Sequence, residues 1–359
     1  MKKIYALLSM MLLLTQFAAA QNTFYVLTKD GTLTPYESKE IFFGLGDKDI
    51  FTFEYGEPLD LSESSFTITF NIYNRSEYQT FSDDPRCGLC YSDFNPTPTV
   101  NDSKIEKGPH LTNDTIRFYG VDPGTTYYYR AYVTVDDNIY YGDIQQITTP
   151  GTQVPFTVVN GHKFVDLGLP SGTLWATCNI GARVTGDYGN YYAWGENRTK
   201  YYYDWDNYKF GTSSDSMNKY NDTDSLTDLE CEDDIAYNLW GDSCRMPTAE
   251  EMAELINDEN CKSTFTYKYT SGGKKYVTLK VTSRKNGNYI CFPNAGYYDF
   301  DVLRWADNNG RYLTRTVYDG DRSEAKILFF LHASTPRVDQ RPRYLGTPVR
   351  PVAHITKSE

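Results

Sequence analysis

The chain has 359 residues, a formal net charge of -12 and 32 tyrosines beside 19 phenylalanines and 5 tryptophans. That acidity argues against nucleic acid or an anionic membrane as a partner. The length exceeds what one hydrophobic core usually organises, so at least two domains are expected.

At the N-terminus, "MKKIYALLSMMLLLTQFAAAQ" sets two lysines before an apolar run from Ile4 to Phe17 and closes on Ala18, Ala19 and Ala20. This is the pattern of a cleaved secretory signal over residues 1–20, with a core too short to span a bilayer. Gln21 follows the cut, so lipoprotein processing is not indicated. The mature chain is expected to be exported to the cell surface, the medium or the periplasm, without a transmembrane segment.

Residues 21–54 read as a β-hairpin extension. From 55 to 150, "SFTITFNIY", "TIRFYGV", "TTYYYRAYVTV" and "NIYYGDIQQITT" alternate β-formers between turn residues, the pattern of antiparallel strands in a sandwich or small barrel. Cys87 and Cys90 form a lone C-x-x-C, but no helix follows and no second ligand pair lies nearby, so both read as strand residues. "GVDPGTTYYYRAYV" and "CGLCYSDFNPTPTVNDSKI" make this stretch resemble a fibronectin type III-like module of the kind common in exported Bacteroidetes proteins. The resemblance implies that Tyr127 folds back to hydrogen-bond the preceding turn.

"PGTQVPF" supplies two prolines and a glycine, placing a linker at 151–155 and letting residues 21–150 and 153–359 fold apart. Beyond it, "VDLGLPSGTLWATCNIGA" offers glycines for tight turns, apolar bulk and one cysteine without an activator, so it reads as framework. Further on, "TAEEMAELINDEN" is the one convincing helix, with Thr248 and Glu251 spaced as a capping box and Met252, Leu255 and Ile256 on one face. The glycine-rich stretch, "DYGNYYAWGE", "EDDIAYNLWGDSCRMPTAEE", "FPNAGY" and "GTPVRPV" occur in an order that resembles the Fibrobacter succinogenes major paralogous (FISUMP) domain. That family looks related to C-type lectin and formylglycine-generating enzyme folds, which implies a C-type lectin-like α+β domain over 156–359. In it "VRPV" is the closing strand, with Arg350 paired to a carboxylate. Cys178 and Cys261 lie where FISUMP-like sequences often carry cysteine, Cys231 and Cys244 form a second candidate pair, and Cys291 reads as a buried thiol.

The expected fold class is therefore mainly β with minor α, a β-sandwich followed by the lectin-like domain. Catalysis lacks support. The cysteine pair that formylglycine-generating relatives use late in the domain is missing, and of the histidines only His332 is placed where a catalytic role is conceivable. Two acidic stretches, Asn221 to Asp234 and "YDGDRSE" with Asp319 and Asp321, offer oxygen ligands, but the twelve-residue calcium loop and the Glu-Pro-Asn of calcium-dependent lectins are absent. No cofactor is required, and calcium stands as the alternative to a solvated acidic face.

The region from Tyr297 to Arg343 mixes aromatics, Arg, Asn and Asp in irregular stretches, the composition of a recognition surface. Tyr298, Arg304, Trp305, Arg311, Tyr312 and Arg315 are the candidate ligand-binding residues. The expectation is a non-enzymatic surface or secreted protein that binds an extracellular glycan or protein. The alternatives are an enzyme acting on extracellular polysaccharide, which needs two carboxylates facing across a cleft, and a structural subunit of a surface appendage.

Overall fold

The computed structural model describes residues 23–27, 33–37, 51–74, 85–108, 114–136, 138–269, 275–331 and 334–354. The signal sequence, His110 and His332 lie outside the described residues. The protein is mainly β with minor α, as its alternation requires.

Strands β1 (Thr23–Leu27) and β2 (Leu33–Glu37) pair as an antiparallel hairpin. The sandwich begins at β3 (Phe51–Tyr55), earlier than the sequence boundary at 55, because β3 pairs along β5. One sheet holds β3, β4 (Leu59–Ser62), β5 (Ser65–Asn74) and β8; the other holds β6, β7, β9, β10 and β11. Their bounds are Arg86–Ser92 for β6, Ser103–Gly108 for β7, Asp114–Tyr119 for β8, Thr126–Val135 for β9, Asn138–Tyr141 for β10 and Gln145–Thr148 for β11. Inward residues of both sheets meet in one core: Phe118 stacks on Phe66 at 4.5 Å and meets the Tyr91 ring edge-on at 4.8 Å. Tyr127 is 1 % exposed and its hydroxyl accepts the Asp122 backbone N–H at 2.9 Å, the corner the residue pattern implied. Cys87 and Cys90 are buried on β6, and burial pushes the Cys90 thiol up to about 11, the opposite of redox activation.

The chain then enters a sheet whose strands come from both ends of the second domain. Its order is β12 (Thr157–Val159), β13 (His162–Asp166), β14 (Leu174–Ala176), β26 (Val352–Ala353) and β16 (Cys244–Arg245). Pairing of β14 with β26 ties the entry to the exit of the domain. The glycine-rich stretch is framework here: Gly168, Gly172 and Gly181 all have positive φ, and Trp175 is fully buried.

Two helices interrupt the strands. The shorter, α1 (Ile235–Trp240), escaped the sequence reading; Asp234 caps it and also accepts the Met246 N–H, a distant partner that no local pattern announces. The longer, α2 (Ala249–Ile256), has the expected capping box between Thr248 and Glu251, with Met252 and Leu255 in the core. It stops at Asn257, short of the expected Asn260.

The other strands are β15 (Tyr191–Tyr192), β17 (Cys261–Tyr269), β18 (Lys275–Ser283), β19 (Tyr289–Pro293), β20 (Tyr297–Asp299), β21 (Val302–Arg304), β22 (Asn309–Val317), β23 (Glu324–Leu331), β24 (Arg337–Pro342) and β25 (Thr347–Pro348). The region from 297 to 343, expected to be irregular, is thus an antiparallel hairpin, β20–β21, followed by the sheet β22–β23–β24.

Arg350 is fully buried without a carboxylate partner. It donates instead to the Asn179 Oδ1 at 2.9 Å and to the Ala176 and Cys291 carbonyls at 3.1 and 2.8 Å, with its guanidinium 4.6 Å from the Phe292 ring centre. Neutral acceptors satisfy the fork, so the expected ion pair is replaced by a dipolar cradle. No disulfide forms: all seven cysteines are thiols, and Cys231 is exposed while Cys244 is buried.

The two domains touch through the segment 183–187. Val184 joins the sandwich core, the Thr185 hydroxyl donates to Asp122 at 2.6 Å, and Gly186 lies so close to Gly120 that a Cβ on Gly120 would sit 2.4 Å from its Cα.

Candidate functional site: an exposed aromatic hairpin

Most described aromatic residues of the second domain are buried or half-buried, which makes the exceptions informative. Tyr201 is 87 % exposed and Trp305 61 %, while Tyr202, Phe300, Val302 and Leu303 each exceed a third. Backbone pairing gathers them. Phe300 exchanges both main-chain hydrogen bonds with Tyr203 at 2.9 Å, and Tyr298 exchanges a pair with Gly346 at 2.7 and 3.0 Å. This clamps the hairpin between two distant segments and sets the Tyr202 and Phe300 rings 5.3 Å apart.

The backbone here is held in costly conformations. Phe300, Trp305 and Asp307 have φ of +57°, +58° and +65°, the left-handed region that bulky side chains avoid. What over-determines them is local. The Trp305 carbonyl accepts the N–H groups of Asn308 and Asn309 at 3.0 Å, and the Asp307 N–H reaches the Asn294 carbonyl at 2.7 Å. Gly296 beneath has φ +63°, and a Cβ there would lie 2.1 Å from the Arg304 carbonyl, so only glycine lets the hairpin return this closely. Apolar side chains are therefore presented to water on a fixed backbone, the arrangement that exposed functional patches share.

Of the six residues expected to bind ligand, Arg304 and Trp305 are exposed on this surface. Tyr298 forms its floor, half-buried against Tyr191 at 4.9 Å and Tyr203 at 5.8 Å. Arg311 is 9 % exposed and lies 3.5 Å over the Tyr297 ring at the hairpin's base. Tyr312 leaves the surface altogether: it is fully buried, with its hydroxyl donating to the Pro293 carbonyl at 2.6 Å. Arg315 turns away too and donates to the Leu229 carbonyl. The reason is that β22 is covered on both faces, so alternation sends odd and even residues alike into protein. Tyr201, Tyr202 and Phe300 were missed. The signal that marks the two tyrosines is the run "KYYYDW", aromatics without strand alternation; Phe300 has no such local mark.

The acidic stretch has a different use for its carboxylates. Glu230, Glu232 and Asp233 do converge closely enough to hold an ion. Yet the Lys219 ammonium sits among them at 2.6, 3.2 and 2.7 Å, and Asp233 also binds Lys209. Burial works against the Lys219 charge, but these carboxylates and Tyr220 raise its pKa, so a protonated amine already fills the place a divalent cation would take. Asp222 and Asp319 pair with Arg322, and Asp321 accepts from Ser323. The donor set thus fits its own lysine better than calcium.

Other reactive groups are similarly engaged. Burial pushes the Cys178 thiol up to about 12, far from a nucleophilic thiolate. His162 stacks on Trp240 at 3.7 Å, with its pKa lowered by burial, and the His354 Nε2 lies 3.1 Å from Glu251.

No protein-family model and no curated protein matches the chain. Among solved structures, the sensor domain of the anti-sigma factor RsgI4 from Pseudobacteroides cellulosolvens is similar at 16 % identity, covering 29 % of this chain and 97 % of that one with a TM-score of 0.22. A myokine structure is similar at 10 % identity over 26 % of this chain and 92 % of that one, TM-score 0.19. A Salmonella alpha-2-macroglobulin reacted with methylamine is similar at 8 % identity over 94 % of this chain and 22 % of that one, TM-score 0.20. Likeness this slight defines no family. Among the described residues, no helix is long and apolar enough to cross a membrane.

Proposed function

We propose that the chain is an exported, non-enzymatic binding protein of the FISUMP kind, whose C-type lectin-like domain recognises an extracellular glycan or protein while the fibronectin-like module spaces it from its attachment. The observation that carries this reading is the exposure of Phe300 and Trp305 on and just after one strained, doubly clamped hairpin, beside Tyr201 and Tyr202 on the segment that clamps it. Trp and Tyr dominate binding energy because they bury large area while losing little rotamer freedom. The surrounding Asp301, Asn207 and Asn308, all exposed, add adaptable polar groups of the kind paratopes use. The burial-raised pKa values of Cys90 and Cys178 and the engagement of the acidic cluster by lysines are what support a non-catalytic role.

Glycan and host-protein arrays probed with the mature chain test the reading. Trp305→Ala is expected to weaken the strongest array ligand by about 2 kcal/mol, a usual hot-spot cost. Binding that is indifferent to this substitution and abolished by chelator would move the site to residues 221–234.

A further inference from the structure

Beside the hairpin, the sheet β22–β23–β24 gathers positive charge. Arg311, Phe329 and Arg337 stand directly opposite one another across the three strands, and Arg341 follows on the same face of β24. All three guanidinium groups surround the Phe329 ring, at 5.9, 4.6 and 5.2 Å from its centre. Among the described residues, the carboxylate bonded to two of them is Asp339, 2.9 Å from Arg337 and 3.3 Å from Arg341. Glu324 and Asp321 lie further along the β23 edge, and crowding by burial and by Asp321 raises the Glu324 pKa. Three guanidinium groups facing one directly bonded carboxylate leave an excess of positive charge on a chain whose net charge is -12.

Arg311 shows the imbalance most clearly. It is nine-tenths buried, and its Nε is a buried donor with no acceptor. Burial, aided by Arg341, lowers its pKa to about 10. A buried guanidinium donor without an acceptor costs on the order of 1–3 kcal/mol, so the arrangement gains if an anion seats on the cluster. The cluster is also continuous with the exposed rings: Arg311 lies over Tyr297, Tyr297 pairs with Arg304 across the hairpin, and Trp305 is next in the chain.

Resting on the hairpin reading above, we propose that Arg311, Arg337 and Arg341 form an anion subsite of the same surface and that the ligand is an acidic polysaccharide. Its sugar rings lie on the aromatic residues, and its carboxylate or sulfate groups reach the arginines. A polysaccharide fits better than an acidic peptide because its sugar rings can lie flat on the exposed aromatic faces and its hydroxyls can donate to exposed Asp206 and Asp301, contacts that a poly-acidic peptide does not offer. Arginine forks suit both carboxylate and sulfate.

The test is calorimetric titration of the mature chain with polygalacturonate against its methyl ester, and with dextran sulfate against dextran; poly-glutamate serves as the peptide probe. The charged polymer of at least one pair is expected to bind more tightly than its neutral counterpart. In the double variant Arg337→Gln/Arg341→Gln that preference falls about tenfold, with partial recovery in Arg337→Lys/Arg341→Lys. The pair that shows the effect identifies the anion as carboxylate or sulfate. Arg337 has a half-exposed side chain, so loss of fold is not expected, and a thermal melt verifies it. A preference unchanged in the double variant, or no binding of either charged polymer, overturns the subsite. Arginine-dependent binding of poly-glutamate alone overturns the polysaccharide. If Trp305→Ala leaves all polymer affinities unchanged while the arginine variant acts, the hairpin reading fails and the continuous site with it.

Discussion

Two aromatic clusters in the second domain are built from the same residue types and meet opposite fates. In the interior, Trp194, Tyr208, Phe210 and Tyr220 close around the fully buried Arg343, whose guanidinium lies 4.5 Å from the Trp194 ring. That arginine donates to the Tyr208 hydroxyl at 2.9 Å and to the carbonyls of Arg322, Lys219 and Tyr220 at 2.8, 3.1 and 3.4 Å. On the outside, Tyr201, Tyr202, Phe300 and Trp305 have no such centre and face water. What separates the clusters is whether a long polar side chain arrives from elsewhere in the chain to organise the rings. Aromatic content alone therefore does not distinguish a recognition surface from a core.

The comparison breaks most sharply at Arg343. Arg343→Ala should cost about 4 kcal/mol, because it leaves a cavity among the rings and strands buried carbonyls; urea unfolding monitored by tryptophan fluorescence reads it directly. A loss under 1 kcal/mol would mean the rings hold themselves together.

Gly296→Ala comes next. Its Cβ collides with the Arg304 carbonyl at a positive φ, so the hairpin must shift, at a cost of roughly 2–3 kcal/mol. Increased cleavage of the 297–308 segment in limited proteolysis would show that the exposed cluster depends on this seat.

A smaller effect is expected at Glu251. Burial disfavours its charge, yet the two-pronged Arg245 contact and the Thr248 and Thr173 donors hold its pKa down at about 2, against 4.5 unperturbed. Because the folded value is depressed, its contribution is complete above pH 4.5 and disappears as pH falls through 2. Glu251→Gln should cost about 1.5 kcal/mol at neutral pH, and the variant and parent should converge in acid melts. The smallest stability effect belongs to Trp305→Ala, within about 0.5 kcal/mol for so exposed a side chain, as differential scanning calorimetry can establish.

Local rules made much of this legible beforehand. The strands, the Tyr127 corner, the capping box at Thr248 and the framework role of Gly168, Gly172 and Gly181 all depend on residues within a few positions of one another. Trp305 and Arg304 were expected at the surface by type, and both are exposed. The misses share a different cause. Tyr312 and Arg315 look equally apt, but their strand is covered on both faces, a fact set by segments near 229, 247 and 293. The acidic stretch resembles an ion site until Lys219 arrives to fill it, and Arg350 finds carbonyls where a carboxylate was expected. Long-range partners decided each case.

The exposed hairpin as the working surface is the claim on which the rest turns. Hydroxyl-radical footprinting of the mature chain, with and without its strongest array ligand, tests it residue by residue. Protection of Tyr201, Tyr202, Phe300 and Trp305, with residues 221–234 unchanged, is the predicted result. Protection confined to 221–234, or to the sandwich, with those four rings still oxidised at their free rates, would contradict it.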